Sequence, residues 1–276
     1  MRKLGLVAAT AMLAMAFAGA ANATFELTYQ SEAPGIVNTS TTLTVGGVET
    51  FDGISAGNYP TLASTFGNNG VVSGVYTSST DPGNSANSGY VQVNPADQYG
   101  AAGGTGNYIV ALNDAYTLTL ATTGQSINYF GYWLSALDAG NVLLFENADN
   151  QVEFTFNASD VLAALPPATA SGYYGNPEPN FTGDNNTQPY VFLNFYDLSG
   201  SFTKIVFEED PLQGGYESDN QTVGHYTTVG PNQTTIPLTN SMQGVPEPAA
   251  WSLMLIGFGA LGVAMRSRRR QAVATA

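Results

Sequence analysis

The clearest pattern along this chain is a strict alternation of apolar and polar positions in short runs. Tyr116, Leu118 and Leu120 fall on one face, with Thr117 and Thr119 on the other, the period of two that a half-buried antiparallel strand requires. Val152, Phe154 and Phe156 alternate with Gln151, Glu153 and Thr155, and Ala148-Asp149-Asn150 supplies turn residues after Asn141-Val-Leu-Leu-Phe-Glu146, which predicts a hairpin over 141–156. Ile205 and Phe207 face inward beside Lys204 and Glu208. Similar runs at 25–29, 41–45, 71–77, 90–93, 107–112, 126–134, 190–196 and 216–223 bring the expectation to about a dozen strands at sandwich-like spacing. The fold class expected is all-β, as a jelly-roll-like antiparallel β-sandwich. Trp133 lies in an apolar run and is expected in the core.

One short helix is predicted over Ser159–Leu165, with Asn157 or Ser159 capping its free amides and Pro166 ending it. Two long loops interrupt the strands. Residues 166–189 carry five prolines with Tyr173, Tyr174 and Phe181, and residues 77–89 are rich in Ser, Asn and Gly. No internal repeat is visible, which argues against a propeller or solenoid.

Both ends read as targeting segments rather than core. Arg2 and Lys3 precede an apolar run to Ala20, and Ala21-Asn22-Ala23 offers the small residues of a signal-peptidase site, so residues 1–23 are expected to be a signal peptide cleaved after Ala23. The β-sandwich is then expected over 24–234, a linker over 235–245, a sorting segment over 246–270 and a tail over 271–276. The chain between the ends, about 220 residues, is long enough to bury one large core without staples.

Charge narrows the partners. All 21 acidic residues lie between Glu26 and Glu247, and Lys204 is the only cation in that interval, a formal charge of −20. Such a domain repels nucleic acid and anionic headgroups, which leaves divalent cations and neutral glycans as better partners. The absence of cysteine excludes disulfides, thiolate metal sites and a cysteine nucleophile.

Near the C-terminus stand three elements in order: Pro246-Glu247-Pro248, the apolar stretch 249–265 that begins with Trp251 near its outer end, and the cluster Arg266, Arg268, Arg269 and Arg270. As a helix the stretch rises about 25 Å, barely enough for a hydrocarbon core of about 30 Å. The arginines would stay cytoplasmic, which places Pro246-Glu247-Pro248 just outside the outer leaflet. Residues 245–270 closely resemble the PEP-CTERM sorting signal of Gram-negative bacteria. The resemblance implies an exosortase as processing enzyme, transient residence in the inner membrane and a final place at the cell surface, often where exopolysaccharide or biofilm is built. Ser267 interrupts the arginines. A second triplet, Pro177-Glu178-Pro179, has neither span nor arginines behind it and is expected to be loop chemistry. Phe130–Asn141, Gly172–Pro177, Tyr190–Phe195 and Tyr216–Val223 also make the exported part similar to a group of exosortase-dependent surface proteins with a jelly-roll-like domain, to which no activity is firmly attached.

Candidate chemistry inside the domain is sparse. A calcium ion needs six to eight oxygen ligands, and Glu49 and Asp52 early with Glu217, Asp219 and Asn220 late are the candidate set, against the plainer reading of solvated carboxylates. Tyr173, Tyr174 and Phe181 could stack on sugar rings, against the plainer reading of loop packing. His225 is the only histidine and no Gly-x-Ser-x-Gly elbow exists, so a serine-hydrolase reading has little to stand on. The expectation is a noncatalytic, exosortase-sorted extracellular-matrix or biofilm component that binds exopolysaccharide. The alternative is a secreted polysaccharide-active hydrolase, which needs only two suitably placed carboxylates.

Overall fold

A computed structural model describes residues 24–30, 39–79, 89–103, 105–112, 114–169, 172–210, 214–244 and Phe258. The expected signal peptide with Ala21 and Ala23 lies outside the described residues. So do the sorting residues Pro246, Glu247, Pro248, Trp251, Arg266, Arg268, Arg269 and Arg270, the tail, and all of the stretch 249–265 except Phe258. Among the described residues no helix is long and apolar enough to cross a membrane. The compact unit Asn22–Val245 holds the fold.

That unit is a two-layer antiparallel β-sandwich. Its strands are β1 (Phe25–Gln30), β2 (Thr42–Glu49), β3 (Gly57–Tyr59), β4 (Thr61–Ser64), β5 (Val72–Ser79), β6 (Val91–Pro95), β7 (Asn107–Leu112), β8 (Ala115–Thr122), β9 (Tyr129–Ser135), β10 (Asn141–Glu146), β11 (Val152–Asn157), β12 (Val191–Asp197), β13 (Lys204–Glu209), β14 (Gly215–Thr228), β15 (Thr234–Thr235) and β16 (Met242–Gln243), with helix α1 (Ser159–Ala164) after β11. One sheet has nine strands in the order β15-β1-β12-β9-β14-β7-β6-β3, with β2 also on β14; the other has seven in the order β16-β11-β10-β13-β8-β5-β4. The expected hairpin is β10 with β11, in the register Leu143 to Phe156 and Phe145 to Phe154.

The alternation read from the sequence places one residue of each pair between the sheets. Phe145 sits at the middle of an aromatic group, its ring centroid 5.0 Å from Phe25, 5.1 Å from both Phe195 and Phe202, and 6.0 Å from Phe154. All five rings are buried, and such tilted and edge-on contacts add to the stabilisation from apolar burial. Polar side chains also enter this core. Gln221 Nε2 donates to Tyr116 Oη at 3.0 Å and to Ser218 Oγ at 2.9 Å, while its Oε1 accepts from Tyr76 Oη at 3.0 Å, so each buried group has a partner.

Trp133 is buried as expected, in a second hydrophobic core cluster with Ala102, Ala136, Tyr190 and Phe192, because it alternates with Tyr132 and Leu134 of the main core and so points to the other side of its sheet. Two expectations need correction. The segment 235–245, expected as a linker, belongs to the domain as far as Gly244: Thr234 and Thr235 pair with Tyr29 and Thr28, and Met242 and Gln243 pair with Thr155 and Phe154. Helix α1 starts after Ala158 with no side-chain cap on its axis; Asn157 Oδ1 instead accepts from the Ser159 amide at 2.9 Å.

Candidate functional site

Of the sequence-predicted ligand residues, the charges of Glu49 and Asp52 both act on Asp219, which adjoins Asn220, whereas Glu217 stands apart. Both carboxylate oxygens of Glu49 serve its own turn, accepting from the Phe51 amide at 2.8 Å and from Ser64 Oγ at 2.5 Å. Asp52 Oδ1 accepts from the Asn107 amide at 3.1 Å. Asp219 and Asn220 lie at a register shift where β14 meets β9. There Asn220 adopts a left-handed φ of 49°, a conformation that asparagine tolerates better than most residues, and its Nδ2 donates to the Gly103 carbonyl at 2.8 Å. Burial pushes the Asp219 carboxyl well above the usual range, with Asp52 and Glu49 adding to the rise. Glu217 does not join this group; the charges that raise its pKa are Glu209, Asp138 and Asp97. Among the described residues no three His, Asp or Glu side chains are grouped so as to hold a metal ion.

The aromatic loop is packed against the domain. Tyr173 meets Tyr29 edge-on at 5.4 Å, Tyr174 bridges to Pro189, and the Phe181 amide donates to the Glu178 carbonyl at 3.0 Å. The polar residues between them hold the loop down. Asn176 Nδ2 donates to the carbonyls of Asp97 and Gly100 at 3.0 and 3.2 Å, and Asn185 Nδ2 to that of Gln98 at 2.8 Å. Glu178 is fully buried, with Oε2 accepting from the Asn180 amide at 2.8 Å and Oε1 from Asn180 Nδ2 at 3.0 Å.

Two groupings escaped the sequence reading. The first is acidic: Glu217, Glu209 and Asp138 come together where β13 turns into β14, beside Gly214 and Gly215. Burial and these neighbouring carboxylates push Glu217 up to about 8, and burial also raises Asp138 against the hydrogen bond it accepts from the Gly140 amide. Asp138 and Glu209 are far apart in sequence and only the fold joins them to Glu217.

The second grouping lies where the chain leaves the domain. Asp160, buried in the first turn of α1, collects the backbone amides of Thr239 and Asn240 on Oδ1 at 3.1 and 2.8 Å and that of Ser241 on Oδ2 at 2.8 Å. Thr239 Oγ1 and Asn240 Nδ2 donate to Oδ1 as well, at 2.7 and 2.8 Å. Burial raises the pKa of this carboxyl, but the hydrogen bonds outweigh it and hold the group well below the usual carboxylate range. Beyond the clip, Gln243 Oε1 accepts from the Phe25 amide at 3.0 Å and its Nε2 donates to the Phe25 carbonyl at 3.2 Å. The Gly244 amide donates to the Glu153 carbonyl at 2.5 Å, the last such contact among the described residues.

From that residue onward the chain is recognisable. Residues 244–270 match the PEP-CTERM protein-sorting motif. The PEP-CTERM segment implies processing by an exosortase and export with membrane-anchored sorting toward the cell surface. It begins at Gly244, the residue after β16 ends at Gln243. No curated protein and no solved structure matches the chain.

Proposed function

We propose that this chain is a noncatalytic surface protein, made with a cleaved signal peptide, delivered by its PEP-CTERM tail, and retained as a component of the extracellular matrix or biofilm. The observation that carries this reading is the PEP-CTERM match immediately after a folded β-sandwich. Frequent crossing of successive strands between the two sheets supports jelly-roll-like wrapping, and the formal charge of −20 between Glu26 and Glu247 favours neutral exopolysaccharide over anionic polymers as the material bound. The test is the size of the precursor in an exosortase-containing host: replacing Glu247 by Ala, or deleting residues 266–270, should leave it unprocessed. Normal maturation of both variants would end the sorting reading.

The acidic grouping at Glu217 favours a second reading, a polysaccharide hydrolase in which a carboxyl with raised pKa serves as general acid and Glu209 or Asp138 as the second carboxyl. Release of reducing ends from the native exopolysaccharide, abolished by Glu217→Gln, would replace the noncatalytic reading with this one.

A further inference from the structure

Residues 234–243 form a strap that joins the two sheets, and its two halves are held very differently. In the first half Ile236 is buried, its amide donating to the Leu27 carbonyl at 2.8 Å, and residues 239–241 are clipped by the Asp160 carboxylate. Ser241 Oγ also accepts from the Asn157 amide at 2.9 Å. In the second half β16 has two residues, both exposed, with Met242 at 64%. It is kept in place by its short pairing with β11, by the Gln243 contacts to Phe25 and by the Gly244 amide. Segments with few buried apolar contacts open locally at low cost, whereas buried ones open only with the domain. Opening from the C-terminal side should therefore run to Ser241 and stop there.

Chain length gives that opening a consequence. From Gln243 to Ala249, where the apolar stretch begins, an extended chain spans at most about 20 Å. The headgroup layer of one leaflet takes about 5–8 Å of this, and one helix of a membrane-embedded enzyme takes about 10 Å more. With β16 docked, lipid and enzyme together fill nearly the whole length. Releasing residues 242 and 243 adds about 7 Å.

We propose that β16 is a releasable spacer: the exosortase grips Pro246-Glu247-Pro248 in the state in which β16 has left β11, and the Asp160 clip limits the release to the residues after Ser241. This rests on the reading of the tail as an exosortase substrate. Asp160 and Gln243 are then positioning residues for processing, acting through the chain and not on the scissile bond.

The experiment follows conversion of the full-length precursor by pulse–chase in an exosortase-containing host. A six-residue Gly-Ser insertion between Gly244 and Val245 lengthens the tether without touching the domain, and Gln243→Ala weakens β16. Each should speed conversion several-fold, and the two together should do no more than the insertion alone. An unchanged or slower rate with the insertion overturns the spacer, whatever Gln243→Ala does to folding. Glu247→Ala separates the two levels. If it blocks conversion while the insertion has no effect, only the spacer falls; if it matures normally, the sorting reading falls and the spacer with it.

Discussion

The side-chain amide of Gln243 mimics a neighbouring strand toward Phe25, accepting from its amide at 3.0 Å and donating to its carbonyl at 3.2 Å. Phe25 begins β1, and Gln243 ends β16. Among the described residues, the first and last strands of the domain are therefore locked to each other through one side chain. Replacing Gln243 by Ala removes two partly exposed hydrogen bonds, which should lower stability by about 1 kcal/mol. Hydrogen exchange at the Phe25 amide should rise well before that of the other β1 amides, and uniform exchange along β1 would contradict the lock.

Asp160 carries more. Asp160→Ala would leave the amides of Thr239, Asn240 and Ser241 without their acceptor, and the expected loss is about 3 kcal/mol, read from the denaturant midpoint. Limited proteolysis should then cut between Ile236 and Gly244 in an otherwise folded domain. The folded pKa lies below the ordinary aspartate value of 3.8, so the contribution is complete above that pH and is lost as the pH falls toward the lower folded value. Wild type should show this acid-dependent loss and Asp160→Asn should lack it.

Glu217 titrates in the opposite sense. Its folded pKa of about 8 stands above the ordinary glutamate value of 4.5, so the fold holds a neutral carboxyl whose contribution is present at acidic pH and disappears as the pH rises through about 8. Between these limits the unfolded chain gains by ionising, at a cost to the fold of up to about 3 kcal/mol near pH 7. Glu217→Gln should raise the melting temperature at pH 7–8 and flatten its decline with pH. A variant no more stable than wild type at pH 8 would show that Glu217 is ionised in the fold.

Phe145 tests the packing of the centre. It contacts Phe25, Phe154, Phe195 and Phe202, so Phe145→Ala leaves a cavity among rings held by both sheets and should cost about 4 kcal/mol. The urea slope should stay near that of wild type, because the surface exposed on unfolding is nearly unchanged.

Apolar runs, whether continuous or alternating, were legible in the sequence. The prediction for 107–112 matches β7, buried from Tyr108 to Ala111, and that for 141–156 matches the β10–β11 hairpin, in which Phe154 and Phe156 alternate with less buried neighbours. Strands β3, β15 and β16 left little such record. Gly57–Tyr59, Thr234–Thr235 and Met242–Gln243 are two or three residues long with mostly exposed side chains, and they exist because a longer neighbour recruits their backbone groups. The same limit hid the functional groupings. Asp160 looked like an acid in the first turn of a short helix, and nothing local announces that its partners lie about 80 residues further on. Sequence distance hid that the charges of Glu49 and Asp52 act on Asp219, whereas Glu217, two residues away on the same strand, feels Glu209, Asp138 and Asp97. Loop aromatics such as Tyr173 were visible as residue types, but their packing against Tyr29 was not.

Burial of Glu178 sets apart the two Pro-Glu-Pro triplets that the chain spells. In the folded domain the glutamate of the first copy is sealed, with both carboxylate oxygens occupied by Asn180. Folding thus removes one of two identical words from view, while the other lies within the matched sorting segment 244–270. A chain that reached the membrane unfolded would display both.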